Sequence, residues 1–247
     1  MEESVKKELE TSLASEIVES KKQIRIQLPE VVVTLISMII GVVLLCFNLI
    51  NFWGLFLIFF GALWNFFTDA NKLFACVVSF AVCTIFALIS ISLDLYGMAF
   101  LHIGFYLPTQ LIYFYENRKE TDVSIKKNKE LTKFGSVGAI VSIWIFALCV
   151  ALVLYKIGEP HYIADAVCVA LLSFSVFLSN GEYKEYWIAR IFACFVTMSF
   201  LLYVSIETQF KINSLAFVLM FVMYVVMDII KFIRWAKIIN KSDKKAM

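Results

Sequence analysis

Few residues in this chain can do chemistry, and most stand singly inside apolar runs. Asp228 has apolar sequence before it and lies about two turns from the end of its run. A charge at the centre of a membrane helix costs about 2.5–3.5 kcal/mol on insertion scales, so it is expected to face the protein interior and meet a partner. Arg190 or Lys72 is the expected partner of Asp228. The carboxylate could accept hydrogen bonds from ribose hydroxyls or an amide, form part of an inner gate, or serve as half of a structural ion pair. Arg190 lies one turn into its own run. There it either serves a ligand or reaches the headgroups by snorkelling, and Lys72 at the equivalent place in a repeat (below) favours snorkelling. Gln110 offers both donors and acceptors and suits an amide or a pyrimidine edge. Trp187 opens the same run as Arg190. Its face can stack on a planar base, a contact worth about 1–3 kcal/mol in nucleic-acid sites, or it can anchor a helix at the membrane interface.

Other residues carry weaker signals. Asp165 opens an apolar run, where N-capping and a favourable helix-dipole interaction are its plain roles and a site role is second. Asn65 is a candidate for a cavity wall. Pro108 stands two residues before Gln110 and removes a helix hydrogen bond, which permits a hinge beside a polar group. The six Cys all lie in apolar runs without a CxxC, so they read as small packing residues. His102 and His161 are too far apart to pair as ligands, and no HExxH, GxSxG or phosphate-cradling loop occurs. No catalytic residue, metal site or cofactor is therefore expected.

The elements that must hold these residues are membrane helices. The chain has 247 residues, 61% hydrophobic and 17% charged, with mean hydropathy +0.84. Soluble domains run about 45–50% apolar and 25% charged, so a soluble globular protein is excluded. A net charge of +2 excludes a nucleic-acid partner. Twenty-nine of the 42 charged residues crowd into 1–30, 116–133 and 231–247. A bilayer core needs about 20 apolar residues per helix, which predicts eight spans: 31–50, 52–67, 73–92, 95–115, 135–155, 163–179, 186–206 and 214–234. Residues 1–30 read as a cytoplasmic tail, 116–134 as a basic cytoplasmic loop and 235–247 as a basic cytoplasmic tail. That topology places 20 of the 22 Lys and Arg on the cytoplasmic side and leaves only Lys156 and Lys211 outside.

The chain repeats itself at an offset of 118. Lys72-Leu-Phe-Ala-Cys76 falls on Arg190-Ile-Phe-Ala-Cys194. The same offset pairs Gln110 with Asp228, Tyr106 with Tyr224, and Phe74 with Phe192. Aromatics at symmetric positions could line a cavity for a planar ligand, against a bland reading as lipid-facing or core packing. Spans two to four (52–115) thus repeat as spans six to eight (163–234). The span at 135–155 links them, and the one at 31–50 is an extra N-terminal helix. An odd linker returns the second triplet in the orientation of the first, a parallel 3+1+3 repeat in an all-α membrane protein. Substrates of such transporters usually bind between the repeats near the midplane.

The stretch Asp165-Ala-Val, Glu182-Tyr-Lys-Glu-Tyr-Trp187-Ile-Ala-Arg190-Ile-Phe-Ala-Cys194, with Leu95-Tyr96 and Leu111-Ile-Tyr-Phe-Tyr115, resembles the PnuC-type (Pnu) family of nicotinamide riboside and vitamin transporters. The resemblance covers roughly 50–235. It implies the SWEET-like 3+1+3 fold and facilitated diffusion of nicotinamide riboside, thiamine, riboflavin or deoxynucleosides. It also implies a cytosolic kinase that acts on the product without stable binding. Of the family's W-x-x-W-x-x-x-N stretch only Trp187 is kept, with Arg190 and Cys194 at the second Trp and the Asn. Gln110 stands where the family often has Asn. The expected site is therefore Trp187, Gln110, Asp228, Arg190, Tyr106, Tyr224, Cys194, Asn65 and Asp165. Expected partners are a planar heterocycle or nucleoside and the lipid bilayer, with a homo-oligomer left open. A vitamin-binding subunit working with a separate ATPase is the alternative. A lipid-modifying membrane enzyme would need a cluster of reactive groups that the sequence lacks.

Overall fold

Long runs of Leu, Ile, Val and Phe can bury their backbone polar groups in lipid only as helices, and the computed structural model is built of them. It describes residues 28–67, 72–117, 133–180, 183, 185–210 and 213–246. The described residues form eight helices: α1 (Leu28–Cys46), α2 (Phe52–Phe67), α3 (Lys72–Ser92), α4, α5 (Lys133–Ile157), α6 (Tyr162–Asn180), α7 (Tyr186–Glu207) and α8 (Ser214–Ala246). α4 runs as Tyr96–Phe100, a π-helical turn Leu101–Tyr106, and Leu107–Asn117. Six of the eight are long and apolar enough to cross a membrane, α2 is shorter, and α4 is interrupted. Most of the tail 1–30, most of the loop 116–134, and Asp69, Asn71 and Lys211 lie outside the described residues.

Boundaries differ from the expected spans for local reasons. α1 stops at Cys46 because Asn48 adopts φ 57°, and Leu49 N–H then returns to the Leu44 carbonyl. That is a Schellman end, which needs a left-handed residue just past the helix. α5 closes the same way, through Gly158 at φ 87° and Glu159 N–H on Leu154 O. α3 does so through Asp94, and α7 through Gln209. The expected cytoplasmic tail 235–247 is mostly a continuation of α8, which stays helical to Ala246.

The packed pairs obey a two-fold exchange. α2 packs on α3 and α8, as α6 packs on α7 and α4; α3 packs on α4 as α7 packs on α8. α1 lies against α2 and α8, as α5 lies against α6 and α4. Exchanging α1 with α5, α2 with α6, α3 with α7 and α4 with α8 reproduces every packed pair. The extra N-terminal helix thus fills, in the first half, the place that the linker helix fills in the second. Both present exposed apolar side chains outward, such as Ile39 and Trp144, as a bilayer allows.

The core sits at the seam between the halves. Phe86 of α3 is stacked on Phe217 of α8 at 4.3 Å between centroids and on His102 of α4 at 3.6 Å. All three are nearly or fully buried. His102 is an interior, hydrogen-bonded residue: its Nδ1 lies 2.9 Å from the Met98 carbonyl. Segment 118–132 joins α4 to α5, so the membrane face bearing it is called the basic face below.

Candidate functional site

Towards the basic face, α7 and α8 bring their charges together. Arg190 Nε donates to Asp228 Oδ2 at 2.8 Å, and Arg190 Nη1 donates to Tyr186 Oη at 2.9 Å. Tyr186 and Cys194 each stand four residues from Arg190, and that spacing puts all three on one helix face. The Cys194 thiol points at Asp228 Oδ2 from 3.9 Å. Asp228 is 2% exposed. An unpaired carboxylate there would be prohibitive, and the paired guanidinium removes that cost. Arg190 therefore does not snorkel outwards, as its position one turn into the span suggested. The partner buried beside it outweighs the short reach to the headgroups. The Lys72 side chain lies outside the described residues.

Aromatic faces surround this pair. The Arg190 guanidinium lies 5.6 Å from the Trp64 ring centroid and 5.8 Å from that of Tyr186, within cation–π range. Trp64 of α2 meets Tyr224 of α8 at 5.7 Å, and Tyr224 meets Phe221 at 5.8 Å. Tyr106 of α4 is set edge-on to His102 at 5.1 Å and lies within electrostatic reach of Arg190 and Tyr186. Gly61 permits the approach of α2 to α8, since a Cβ there would sit 3.3 Å from both Met220 Cγ and Tyr224 Oη. The cluster draws on both halves: Trp64 and Tyr106 from the first, Tyr186, Arg190, Tyr224 and Asp228 from the second.

Five of the nine expected residues meet here: Arg190, Asp228, Cys194, Tyr106 and Tyr224. Trp187 is half-buried, and its ring meets Tyr186 at 5.0 Å. Gln110 is half-buried and makes no hydrogen bond among the described residues. Asn65 lies on α2, but its side chain is outside the described residues. Phe74 and Phe192, paired by the repeat, both turn outward. Trp64 and Tyr186 were missed. Tyr186 had a signal, its four-residue spacing from Arg190; Trp64 had none beyond adjacency to Asn65.

Asp165 belongs to a second cluster at the opposite face. Its Oδ2 accepts the Met98 N–H at 3.1 Å, so it caps α4 rather than its own helix. Glu159 Oε2 accepts from Tyr96 N–H at 3.0 Å and Gly97 N–H at 3.3 Å. Both carboxyls are almost fully buried, and burial raises the Glu159 carboxyl above the ordinary carboxylate range. A Cβ on Gly97 would stand 2.7 Å from Asp165 Oδ2, so only glycine admits this contact. Among the described residues no group of His, Cys, Asp and Glu is arranged to hold a metal ion.

A family model described as nicotinamide mononucleotide transporter matches residues 51–237. The chain belongs to that family. The nicotinamide mononucleotide transporter family is one of membrane transporters, not enzymes, and the matched stretch contains both clusters. A solved structure titled "Crystal structure of the Vitamin B3 transporter PnuC" superimposes with a TM-score of 0.71 at 22% identity, over 87% of this chain and 93% of that one. The likeness establishes a shared all-helical membrane fold. No curated protein matches the sequence. Within the nicotinamide mononucleotide transporter fold, the Trp64–Arg190–Asp228 cluster is a place where both halves contribute polar and aromatic groups to one point.

Proposed function

We propose that this chain carries a nucleoside-like vitamin or nucleoside across the cell membrane by facilitated diffusion along the seam between its halves. Nicotinamide riboside and related nucleosides head the substrate class, and thiamine, riboflavin and deoxynucleosides complete it. The observation that carries the reading is the cluster itself. Trp64, Tyr186 and Tyr224 offer faces for a planar ring, which stacking stabilises by about 1–3 kcal/mol. Arg190 and Asp228 offer a donor and an acceptor for its polar edge or sugar. Gln110, Trp187 and Asn65 extend the site along α4, α7 and α2, and Cys194 backs the ion pair. The names of the family and of the similar structure, a mononucleotide and a vitamin B3, support a ligand of this kind.

The basic face is cytoplasmic in this reading, with both termini inside, because 20 of the 22 Lys and Arg then lie there. A cytosolic kinase that phosphorylates the arriving product makes entry one-way without binding the transporter. The exposed apolar flanks of α1 and α5 leave room for self-association. The test is uptake of radiolabelled nicotinamide riboside, thiamine, riboflavin and deoxynucleosides into proteoliposomes. Saturable uptake of at least one is expected, unchanged by ionophores. No uptake of any would end the proposal. Inhibition by ionophores would remove facilitated diffusion, and a stoichiometric co-purifying ATPase would turn the chain into a binding subunit.

A further inference from the structure

We propose that Glu159 and Asp165 bind one proton between them and that this proton locks the two halves together at the far face, so that its release lets the seam open there. The inference rests on the reading that the halves part to pass a substrate. Asp165 stands on α6 of the second half and Glu159 on the turn before it, yet both hold the start of α4 in the first half. Glu159 is 3% exposed and Asp165 0%. Glu159 Oε2 takes the Tyr96 and Gly97 N–H groups, and Asp165 Oδ2 takes that of Met98. Glu159 Oε1 and Asp165 Oδ1 are buried without a hydrogen-bond partner among the described residues. Two carboxylates supply only acceptors, and acceptors left unmatched in so dry a place are costly. The carboxyls are near enough to bond each other, so one proton between them supplies the donor that both lack.

A second tie crosses the seam at the same face, and it differs in one respect. Asn213, just before α8 of the second half, accepts through Oδ1 the Asn51 N–H, just before α2 of the first half, at 2.9 Å. Gly54 admits that contact as Gly97 admits Asp165, since a Cβ there would stand 2.6 Å from Asn213 Oδ1. The two-fold exchange of helices puts the two ties at matching places. The amide tie has no proton to lose, and the acidic one does. Once that proton leaves, two negative charges share a dry site and repel. Glu159 follows Gly158, whose φ of 87° ends α5, so it is the partner that swings out and lets go of Tyr96 and Gly97. The proton is taken up and returned at one face, so none crosses with the substrate. The ionisable groups around the pair are Asp94 and Tyr96 at the α3–α4 turn, Lys156 ending α5, Cys168 on α6, and His161 with its partner Glu207 of α7. The His102 ring is engaged by the Met98 carbonyl. Of these, His161 is an exchangeable imidazole whose ordinary range overlaps a near-neutral window, so the test must separate it.

The test follows the full chain between about pH 5 and about pH 8, above the ordinary carboxylate range, with equal pH inside and outside. One readout is amide hydrogen exchange over the start of α4, corrected for its intrinsic pH dependence. The other is the initial rate of saturating nicotinamide riboside or thymidine uptake into proteoliposomes. Each unit by which clamping raises the Glu159 pKa multiplies release about tenfold once the proton is gone. Exchange is therefore expected to quicken about tenfold or more across the window, and uptake about threefold or more. Glu159→Gln and Asp165→Asn each put an N–H donor where the proton sat and keep the acceptor oxygen. Both are expected to hold exchange and uptake at the low-pH level throughout, while His161→Gln keeps the wild-type response. Flat exchange in the wild type overturns the inference. So does a response that survives in both carboxyl variants or vanishes in His161→Gln. Should one carboxyl variant fail to fold by thermal shift, the other decides; should both fail, the wild type and His161→Gln decide. Uptake that stays flat while exchange responds overturns the opening of the seam. Exchange that responds as expected with no uptake at any pH upholds the proton lock and ends the transport reading instead.

Discussion

Two buried polar clusters lie at opposite faces of the same seam and are built on opposite plans. The one near the basic face joins side chain to side chain: a guanidinium, a carboxylate, a phenol and an indole from α2, α7 and α8. Its charges cancel, and its contacts among the described residues run from side chain to side chain. The one at the far face joins side chain to backbone: Glu159 and Asp165 hold the first N–H groups of α4, which would otherwise be orphans. Its groups are both carboxyls, and its geometry is fixed by the helix end they cap. A ligand can exchange with side-chain contacts without undoing a helix. It cannot exchange with a cap without releasing the helix. The first cluster is thus fitted to bind, and the second to clamp α4 onto α6.

The largest expected effect comes from cutting each cluster at its acid. Asp228→Ala leaves Arg190 as an unpaired buried cation, a loss of about 3–5 kcal/mol. Asp165→Ala removes an acceptor from one backbone N–H, about 1–3 kcal/mol. Thermal unfolding in detergent should rank them in that order. Uptake should fall further in Asp228→Ala than in Asp165→Ala at matched expression. Near-wild-type uptake in both would erase the distinction between binding and clamping.

Gly97→Ala probes the clamp from the other side. The added methyl must displace the Asp165 carboxylate, and overpacking of this kind costs about 1–3 kcal/mol. Melting temperature should drop, while KM for the transported ring stays within about twofold, because no group at the far cluster touches it. Trp64→Leu should do the reverse. It removes a stacking face worth about 1–3 kcal/mol and should raise KM roughly tenfold. Because Trp64 is only half-buried, the melting temperature should move less than in Gly97→Ala. Equal KM shifts in the two variants would merge the clusters into one.

Much of this was legible in the sequence. Charge placed the spans and their common face, since lipid tolerates few ions and each must be accounted for. The same cost gave Asp228 a cationic partner, Arg190 or Lys72, and Arg190 holds it. The offset of 118 gave the correspondence of Tyr106 with Tyr224, and both turn inward. It could not tell that Phe74 and Phe192, matched as well, turn outward. Rotation about a helix axis is set by packing, and in lipid both faces are apolar, so no amphipathic signal reports it. The pairing of α1 with α5 was hidden for the same reason, because lipid constrains their outward residues only to be apolar. The π turn before Pro108 was read as a kink. The proline marked the place but not the extra residue that lets His102 reach Phe86.

The smallest effect should appear on changing pH, at the clamp. Burial holds the Glu159 carboxyl above its ordinary range, so the folded chain binds a proton there more tightly than the unfolded one. Between the ordinary carboxylate pKa of about 4.3 and the raised folded value, the native state carries more protons. Stability must then fall as pH rises through that window. The melting temperature should decline modestly across it, and Glu159→Gln, which keeps an acceptor oxygen for the Tyr96 and Gly97 N–H groups without a charge, should flatten the decline. A decline that persists in Glu159→Gln but vanishes in Arg190→Met/Asp228→Asn would place the proton at the basic face and reverse the assignment of roles.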